Sequence, residues 1–370
     1  MSKPGTLVQI VPRAPGDCGG VGGYSEQLAR SLQELHGITS TFVSAAPVTS
    51  SRTAGGFAVL SPLRTLADVL DSPTALLLHY VNYGYNPRGV PVWLPSVLRR
   101  SQSVCDGRLV TVFHELYAVG SWRQSAFWLR PVQMHIAQTI AGLSAISIVS
   151  NEIQQAQLER LAPRANVVLQ PVASNFGEPA LSFSRLVERD PHRWIICGGT
   201  ELVERSLTSF LQNAPFVGAP FSPRELFVVG GVEREEIRTR LGGRQNIRTH
   251  YYPNVEAKAA AEILSTCAFA WIDYFHQSDV PMATILKSTA FAGFCSHGVI
   301  PVFPHHGSPI HLRQDTLPGP FFVTVSGQNL PSEQERAPIA KSIHDSDGDV
   351  DGFPICRHSR VLHQPCRGPR

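Results

Sequence analysis

The sequence predicts an α/β protein built from two doubly wound parallel sheets, and three observations predict it. Short, nearly continuous apolar runs alternate with amphipathic helical patterns in the first half of the chain, as expected for strands that helices cover on both faces. A polar stretch from Pro179 to Pro191 interrupts this alternation, which then restarts. The length of 370 residues exceeds the roughly 250–300 that a single core fills.

Thr6–Pro12 (TLVQIVP) reads as a strand, Tyr24–Leu35 as a helix, Thr39–Ala45 (TSTFVSA) as a strand and Thr74–Val81 (TALLLHYV) as another. Arg108–His114 (RLVTVFH) continues the strands, Phe127–Gly142 is helical and Leu143–Ser150 (LSAISIVS) extends the sheet. After the interruption, Arg193–Gly199 and Arg224–Gly231 read as strands, separated by the helical SLTSFLQNA and followed by the helical EREEIRTRL and AKAAAEILSTC. Ala268–Tyr274 is a strand, ATILKSTAFAGFCSHG a single helix ending at a glycine C-cap, and Val299–Pro304 the last strand. This order gives a first domain at 1–178, a second at 179–330 and an irregular tail at 331–370. The two domains are expected to face each other across a cleft.

Composition narrows the class. A formal charge of +3, with Arg and Lys scattered along the chain, is not that of a nucleic-acid binder. Seven cysteines, far apart and without a C-x-x-C pair, indicate neither a disulfide framework nor a zinc site, and fit a cytoplasmic setting. The N-terminal apolar run is too short for a signal segment. No run approaches the roughly 18 residues that span a bilayer, so any membrane contact is expected to be peripheral. The acidic DSDGDVDG of the tail lacks the closing Glu of a calcium loop. His297, His305, His306 and His311 straddle a strand and a loop, a poor start for convergent metal ligands, and no metal is expected.

Gly16–Gly23 (GDCGGVGG) packs five glycines into eight positions immediately before a helical pattern. Glycine is used where φ is positive or where something approaches the backbone closely. A dinucleotide fingerprint needs G-x-G-x-x-G directly after the strand and an acid ending the second strand. Here Ser25 stands at the third glycine, the excursion PRAPGDC intervenes, and TSTFVSAAP contains no acid. A P-loop needs Gly-Lys-Ser/Thr, which this loop lacks. Two readings remain: close helix packing, or a helix start whose amides meet an anionic or sugar-like ligand.

The segment GGVGGYSEQLARSL resembles the N-terminal loop and helix of GT-B glycosyltransferases, the retaining family 4 and family 1-like group. LVTVFHELYA is similar to their first-domain strand VVTVHDL, and ISIVSNEIQQAQLERLAPRANVVLQPVAS to their VSEALREELLRLG segment. ELFVVGGVEREEIRTRL, NVEAKAAAEILSTCAFAWIDY and LKSTAFAGFCSHGVIPVFPHHGSP resemble three further blocks, all in the family's order, covering residues 6 to 310. The resemblance implies two Rossmann-like domains, an acceptor side in the first, a nucleotide-sugar side in the second, and no metal or other cofactor.

It also implies site residues. Gly19, Gly20, Gly22 and Gly23 would lie under the diphosphate or the transferred sugar. Gly198, Gly199 and Thr200 follow a strand at its carboxyl end, and Arg205 stands near the family's phosphate-contacting Lys. Its guanidinium could fork onto a phosphate. His114 matches a strand-end His that donates a hydrogen bond to the sugar, with Glu115 beside it. The amides of Gly307 and Ser308 would complete the donor loop. Tyr83, Tyr85 and Trp122 offer aromatic faces to an acceptor, whether a glycan, a lipid-linked saccharide or a small molecule.

The family's E-x7-E pair is where this chain departs. With LKSTAFAGF on LEAMACG, Lys287 stands at the second glutamate and Val280 is read at the first, so both carboxylates are missing. Lys287 cannot accept a hydrogen bond from a ribose hydroxyl. It could meet a phosphate, with Ser288 or Thr289 on the ribose. The expected activity is transfer of a hexose from a nucleotide sugar to an acceptor hydroxyl. A non-catalytic binder of nucleotide sugars or glycans is the alternative, and a nicotinamide-dependent oxidoreductase or epimerase is disfavoured by the absent ribose-binding acid.

Overall fold

The computed structural model describes residues 6–15, 20–47, 52–54, 56–60, 75–104, 108–118, 123, 125–179, 181, 183–212, 221–242, 246–275, 280–304, 311–312, 315–316 and 322–323. The chain divides between Pro171 and Val172 into two compact units.

The first unit carries β1 (Thr6–Val11), α1 (Gly20–His36), β2 (Thr39–Ser44), β3 (Arg52–Ala54), β4 (Phe57–Leu60), β5 (Ala75–Tyr80), α2 (Asn82–Tyr85), α3 (Leu94–Val104), β6 (Leu109–Phe113), α4 (Ser125–Leu143), β7 (Ile146–Val149), α5 (Glu152–Leu161) and β8 (Val167–Leu169). The strands form one sheet in the order β3-β4-β2-β1-β5-β6-β7-β8. All neighbours are parallel except the β3–β4 hairpin. The chain builds outward from β1 through β2, then crosses to the other side of β1 with β5. Strand order reverses between β1 and β5, and that reversal opens a crevice at the strands' carboxyl ends.

The sheet is apolar on both faces, as its sequence runs require. Ile10, Leu78, Phe113 and Val149 pack with Leu94, Leu98, Ile136 and Ile140 of α3 and α4 on one side. Val11, Phe42 and Val59 pack against Ala29 of α1 on the other. The α3 sequence LPSVLRRSQSV, not anticipated as a helix, buries Leu94, Leu98 and Ser101 at i, i+4 and i+7. Its Pro95 sits in the first turn, where a missing N–H costs nothing.

The second unit carries α6 (Phe183–Val187), β9 (Arg193–Cys197), α7 (Thr200–Gln212), β10 (Glu225–Val229), α8 (Glu235–Gly242), β11 (Arg248–Tyr252), α9 (Ala257–Leu264), β12 (Phe269–Trp271), a 3-10 turn at Met282–Lys287, α10 (Thr289–Ser296), β13 (Ile300–Phe303), the short pair β14 (His311–Leu312) and β15 (Asp315–Thr316), and β16 (Phe322–Val323). Its main sheet is parallel in the order β11-β10-β9-β12-β13-β16. Order reverses here too, between β9 and β12. Trp194, Phe210, Phe269 and Trp271 fill the core without exposure. Arg189 fastens the opposite, amino edge of this sheet: its Nη1 donates to the carbonyls of Cys267 at 3.0 Å and Gly298 at 3.2 Å.

Three elements differ from the sequence expectations for local reasons. Helix α1 begins at Gly20, so Gly20, Gly22 and Gly23 belong to its first turn and not to a loop. Helix α7 begins at Thr200 and takes in ELVER, because Val203, Leu207 and Phe210 share its buried face. The single helix expected over 283–298 is broken at Ser288, which is extended (φ −86°, ψ 109°) and whose Oγ accepts the N–H of Phe291 at 3.2 Å. A serine N-cap restarts the helix more favourably than it continues one. The expected glycine stop is present: Gly298 has φ +65°, and Val299 N donates to Phe294 O at 2.8 Å, a Schellman closure. Among the described residues no helix is long and apolar enough to cross a membrane.

Candidate functional site

In each unit, polar and glycine residues gather where strand order reverses. In the first unit the carboxyl ends of β1, β5 and β6 meet the start of α1. His114 follows β6, its N–H donating to Tyr80 O at 3.0 Å, while Gln154 Nε2 donates to His114 O at 3.1 Å. Gln154 belongs to the N-cap of α5, where Asn151 Oδ1 accepts the Gln154 N–H, so the cap also anchors the β6 end. The His114 ring lies 21° from parallel to that of His79 on β5, with Nε2 3.3 Å from His79 Nδ1. Tyr24 of α1 sets its ring edgewise to both imidazoles, at 5.8 and 5.1 Å between centroids. The glycine-rich start of α1 therefore leads straight to the ring that packs on this histidine pair.

Glu115 is exposed. Burial, and then the negative charge of Glu115, raise the pKa of the Tyr80 phenol above its ordinary value. Tyr83 presents 41% of its surface to solvent. Tyr85 does not. It is buried, its ring stands edgewise to Trp93, and its hydroxyl lies 3.0 Å from His79 O and 3.2 Å from Ile10 O. Its ring is part of the core, because α2 turns the YGY segment inward.

In the second unit the site is the edge formed by β9, β10 and β12. Gly198, Gly199 and Thr200 link β9 to α7, and Gly230 and Gly231 follow β10. These two loops touch: Val232 N donates to Thr200 Oγ1 at 3.0 Å, and a Cβ on Gly230 would stand 2.5 Å from Gly198 O, at a φ of +90°. Gly199 is different. It is exposed, and a Cβ there would meet nothing within 4 Å.

Across the reversal, α7 is stitched to the end of β12. Arg205 Nε donates to Asp273 O at 2.7 Å, Asp273 N donates to Ser206 Oγ at 3.0 Å, and Trp271 Nε1 donates to Ser209 Oγ at 2.9 Å. One nitrogen of the Arg205 guanidinium is thereby fixed on the backbone, which orients the rest of the fork. Tyr274 OH donates to Thr284 O at 2.8 Å, bringing the Met282–Lys287 turn beside Arg205. Burial raises the Tyr274 pKa, while the Thr284 side chain and the charge of Arg205 hold it down. Lys287 is half-buried at the end of the turn and Thr289 opens α10. Ser288 is buried with its oxygen engaged as the N-cap, which accounts for it locally and leaves the ribose contact expected of it without an exposed hydroxyl.

Gly19, Trp122, Gly307, Ser308, His305, His306 and the tail at 331–370 lie outside the described residues. Among the described residues no group of three or more His, Cys, Asp or Glu side chains is placed to hold a metal ion.

No protein-family model matches the chain, and no curated protein matches it in sequence. Solved structures do match in shape. The pneumococcal O-GlcNAc transferase GtfA, solved with UDP and GlcNAc, superposes with a TM-score of 0.52 at 11% identity, over 94% of this chain and 92% of that one. The fold is GT-B. Two further GT-B likenesses are weaker: a UDP-forming trehalose-phosphate synthase from Burkholderia xenovorans (TM-score 0.49, 12% identity, 92% and 90% covered) and a glycosyltransferase from Rickettsia africae (0.48, 11%, 93% and 92%).

One sequence expectation needs correcting by count. Seven intervening residues before Lys287 end at Asp279, not Val280, so a carboxylate does stand at the first E-x7-E position. Only the second is replaced. Asp279 itself lies outside the described residues.

Sequence reasoning missed Gln9, Ser40, Tyr24 and His79 as a group, as well as Gln154. The signal was present: Gln9 and His79 interrupt the apolar runs LVQIV and LLLHY, where a buried polar side chain needs a partner.

Proposed function

We propose that the chain is a glycosyltransferase that moves a hexose from a nucleotide sugar to an acceptor hydroxyl without a metal ion. The observation that carries this reading is the β9–β12 reversal in the second unit. There the exposed Gly199 has no internal reason to lack a Cβ, α7 begins one residue later, and Arg205 is pinned beside it by Asp273 O. A thirteen-residue helix start offers unpaired amides and a partial positive charge. A bare glycine lets a diphosphate reach them. Arg205, aided by Lys287, would stabilise the charge that develops on the leaving diphosphate, the task a divalent cation performs elsewhere. On the first unit, Tyr83 would stack on the acceptor and His114 would meet the transferred sugar.

The replacement of the second carboxylate by Lys287 favours a second reading, a protein that binds a nucleotide sugar or glycan without transferring it. Thermal-shift measurements with UDP- and GDP-sugars, free nucleotides and NAD, followed by a transfer assay with and without EDTA, separate the readings. The expected result is stabilisation by a sugar nucleotide and EDTA-insensitive transfer, lost by about 100-fold or more in Arg205→Ala. Stabilisation by NAD alone would overturn both readings. Binding without transfer or hydrolysis leaves the second.

A further inference from the structure

We propose that the outer face of α4 in the first unit docks on an anionic phospholipid bilayer, placing Phe127, Trp128 and Val132 at headgroup depth and Arg130 on the lipid phosphates. What α4 buries settles which face this is. Gln133, Ile136, Ala137, Ile140 and Ala141 are its buried residues, so Trp128, Pro131, Val132 and His135, all exposed, form the outer stripe at helical spacing. On a helix that faces only water such a stripe is polar. Here Trp128 is 68% exposed, Val132 41% and Phe127 39%, and the Phe127 ring stands edgewise to Trp128 at 5.4 Å between centroids. Beside them a groove of about 620 Å³ runs between α4 and the end of α5, lined by both rings, Pro131, Met134 and Leu161. The two helices are fastened there, because Gln138 Nε2 donates to Leu161 O at 2.7 Å.

Charge selects the occupant. From Leu116 to Asn151 the chain carries Arg123, Arg130 and His135 and no acidic residue. The Arg130 guanidinium lies over the Tyr117 ring, 5.1 Å from its centroid, which holds the cation beside the apolar stripe. Residues 86–171, which supply α3, α4 and α5, carry eight Arg and four acids, whereas residues 1–85 carry five basic and five acidic residues. The positive charge of the first unit therefore belongs to the part of the chain that forms these helices. The acid closest in sequence to Leu161, Glu159, accepts Gln155 Nε2 on its own helix at 3.0 Å. A second copy docked here about a two-fold axis would bring Arg130 toward its own counterpart, with no acid on α4 to answer it. A layer of lipid phosphates answers that charge, and the headgroup region takes aromatic rings whose bodies are apolar.

Vesicle binding needs no nucleotide sugar, so it is read apart from glycosyl transfer: a chain that binds vesicles and transfers nothing keeps this surface and loses the functional reading. The test is co-sedimentation of the full chain with phosphatidylcholine vesicles, with and without about one-third phosphatidylglycerol. The expected result is binding to the anionic vesicles alone, weakened about threefold or more as salt rises from about 0.1 to about 0.5 M. Trp128→Ala should weaken it about tenfold and Arg130→Gln about fivefold, each with an unchanged circular dichroism spectrum. If Trp128→Ala does not fold, Val132→Glu tests the same exposed face and should weaken binding by at least about tenfold. No binding to anionic vesicles, equal binding to neutral ones, or full binding by a folded Trp128→Ala or Val132→Glu overturns the proposal. A dimer in sedimentation equilibrium that Trp128→Ala dissociates, without vesicle binding, gives the face to a second copy and overturns it as well.

Discussion

The two sheets reverse their strand order in the same way, yet they furnish the resulting crevices differently. In the first unit the helix start buries Gly22 and Tyr24, and buried polar contacts run from His79 through Gln9 to Ser40. In the second unit the buried polar side chains, Ser206 and Ser209, serve to tie α7 to β12. The edge is made of backbone, with two glycine loops pressed together and Arg205 tied to a carbonyl. One edge is thus tied together by buried side-chain hydrogen bonds, and the other sets amide positions by close backbone packing. The second suits an anion, which asks for N–H groups and charge but not for a particular side chain.

Substitutions can break or sharpen that contrast. The largest stability effect is expected at Gly230→Ala, because the new Cβ would meet Gly198 O at 2.5 Å in a φ of +90°. A loss of about 3 kcal/mol or more in urea unfolding is expected, and a loss under about 0.5 kcal/mol would show that the loops can separate. Next is His297, buried behind α10, where burial pushes its pKa down to about 4 from 6.5. The folded protein keeps it neutral while the unfolded chain takes up a proton below 6.5. Stability is therefore full above that pH and falls as pH drops from 6.5 to 4, by up to roughly 3 kcal/mol. His297→Gln should remove that part of the acid sensitivity, measured as the difference between unfolding free energies at pH 7 and pH 4.5.

A smaller effect is expected at Gly199→Ala, where a Cβ meets nothing within the protein. The melting temperature should stay within about 2 °C while the dissociation constant for the sugar nucleotide rises about tenfold or more. Unchanged affinity would reduce Gly199 to a linker. The least change of all is expected at the buried thiols. Burial pushes Cys197, Cys267 and Cys295 up to about 12, so at pH 8 their thiolate fraction is negligible. Peptide mapping after iodoacetamide should find all three unlabelled in the native protein and labelled in urea.

Much of this architecture was legible in the sequence. Strands buried on both faces leave unbroken apolar runs, which is why TLVQIV, LVTVF, WIIC and LFVV were readable. The edge strand β11 (RTHYY) was not, because its half-exposed positions carry polar and aromatic residues that imitate a loop. The break at Ser288 was missed because ATILKSTAFAGF is helical by composition, and only the serine's capping geometry divides it. At the candidate site, the position of Gly198–Thr200 at a strand's carboxyl end was legible from the apolar run before it, whereas Arg205 was singled out by the family resemblance and its tie to Asp273 O is visible only in the fold. Tyr85 was misread because an aromatic two residues from Tyr83 shares its sequence environment but not its side of α2. The buried contacts that join Ser40, Gln9, His79 and His114 were out of reach because these residues lie up to 105 positions apart, from Gln9 to His114, and meet only through sheet order.

Arg189 gives the second sheet an asymmetry of motion. Its guanidinium clasps the chain where it enters β12 and β13, at the edge remote from the glycine loops. The amides beside that clasp, Ala268 bonded to Arg193 O and Ile300 bonded to Ala268 O, are expected to exchange with deuterium only when the whole unit unfolds. Amides of the far rim, at Gly198–Thr200 and Gly230–Val232, are expected to exchange sooner, through local opening.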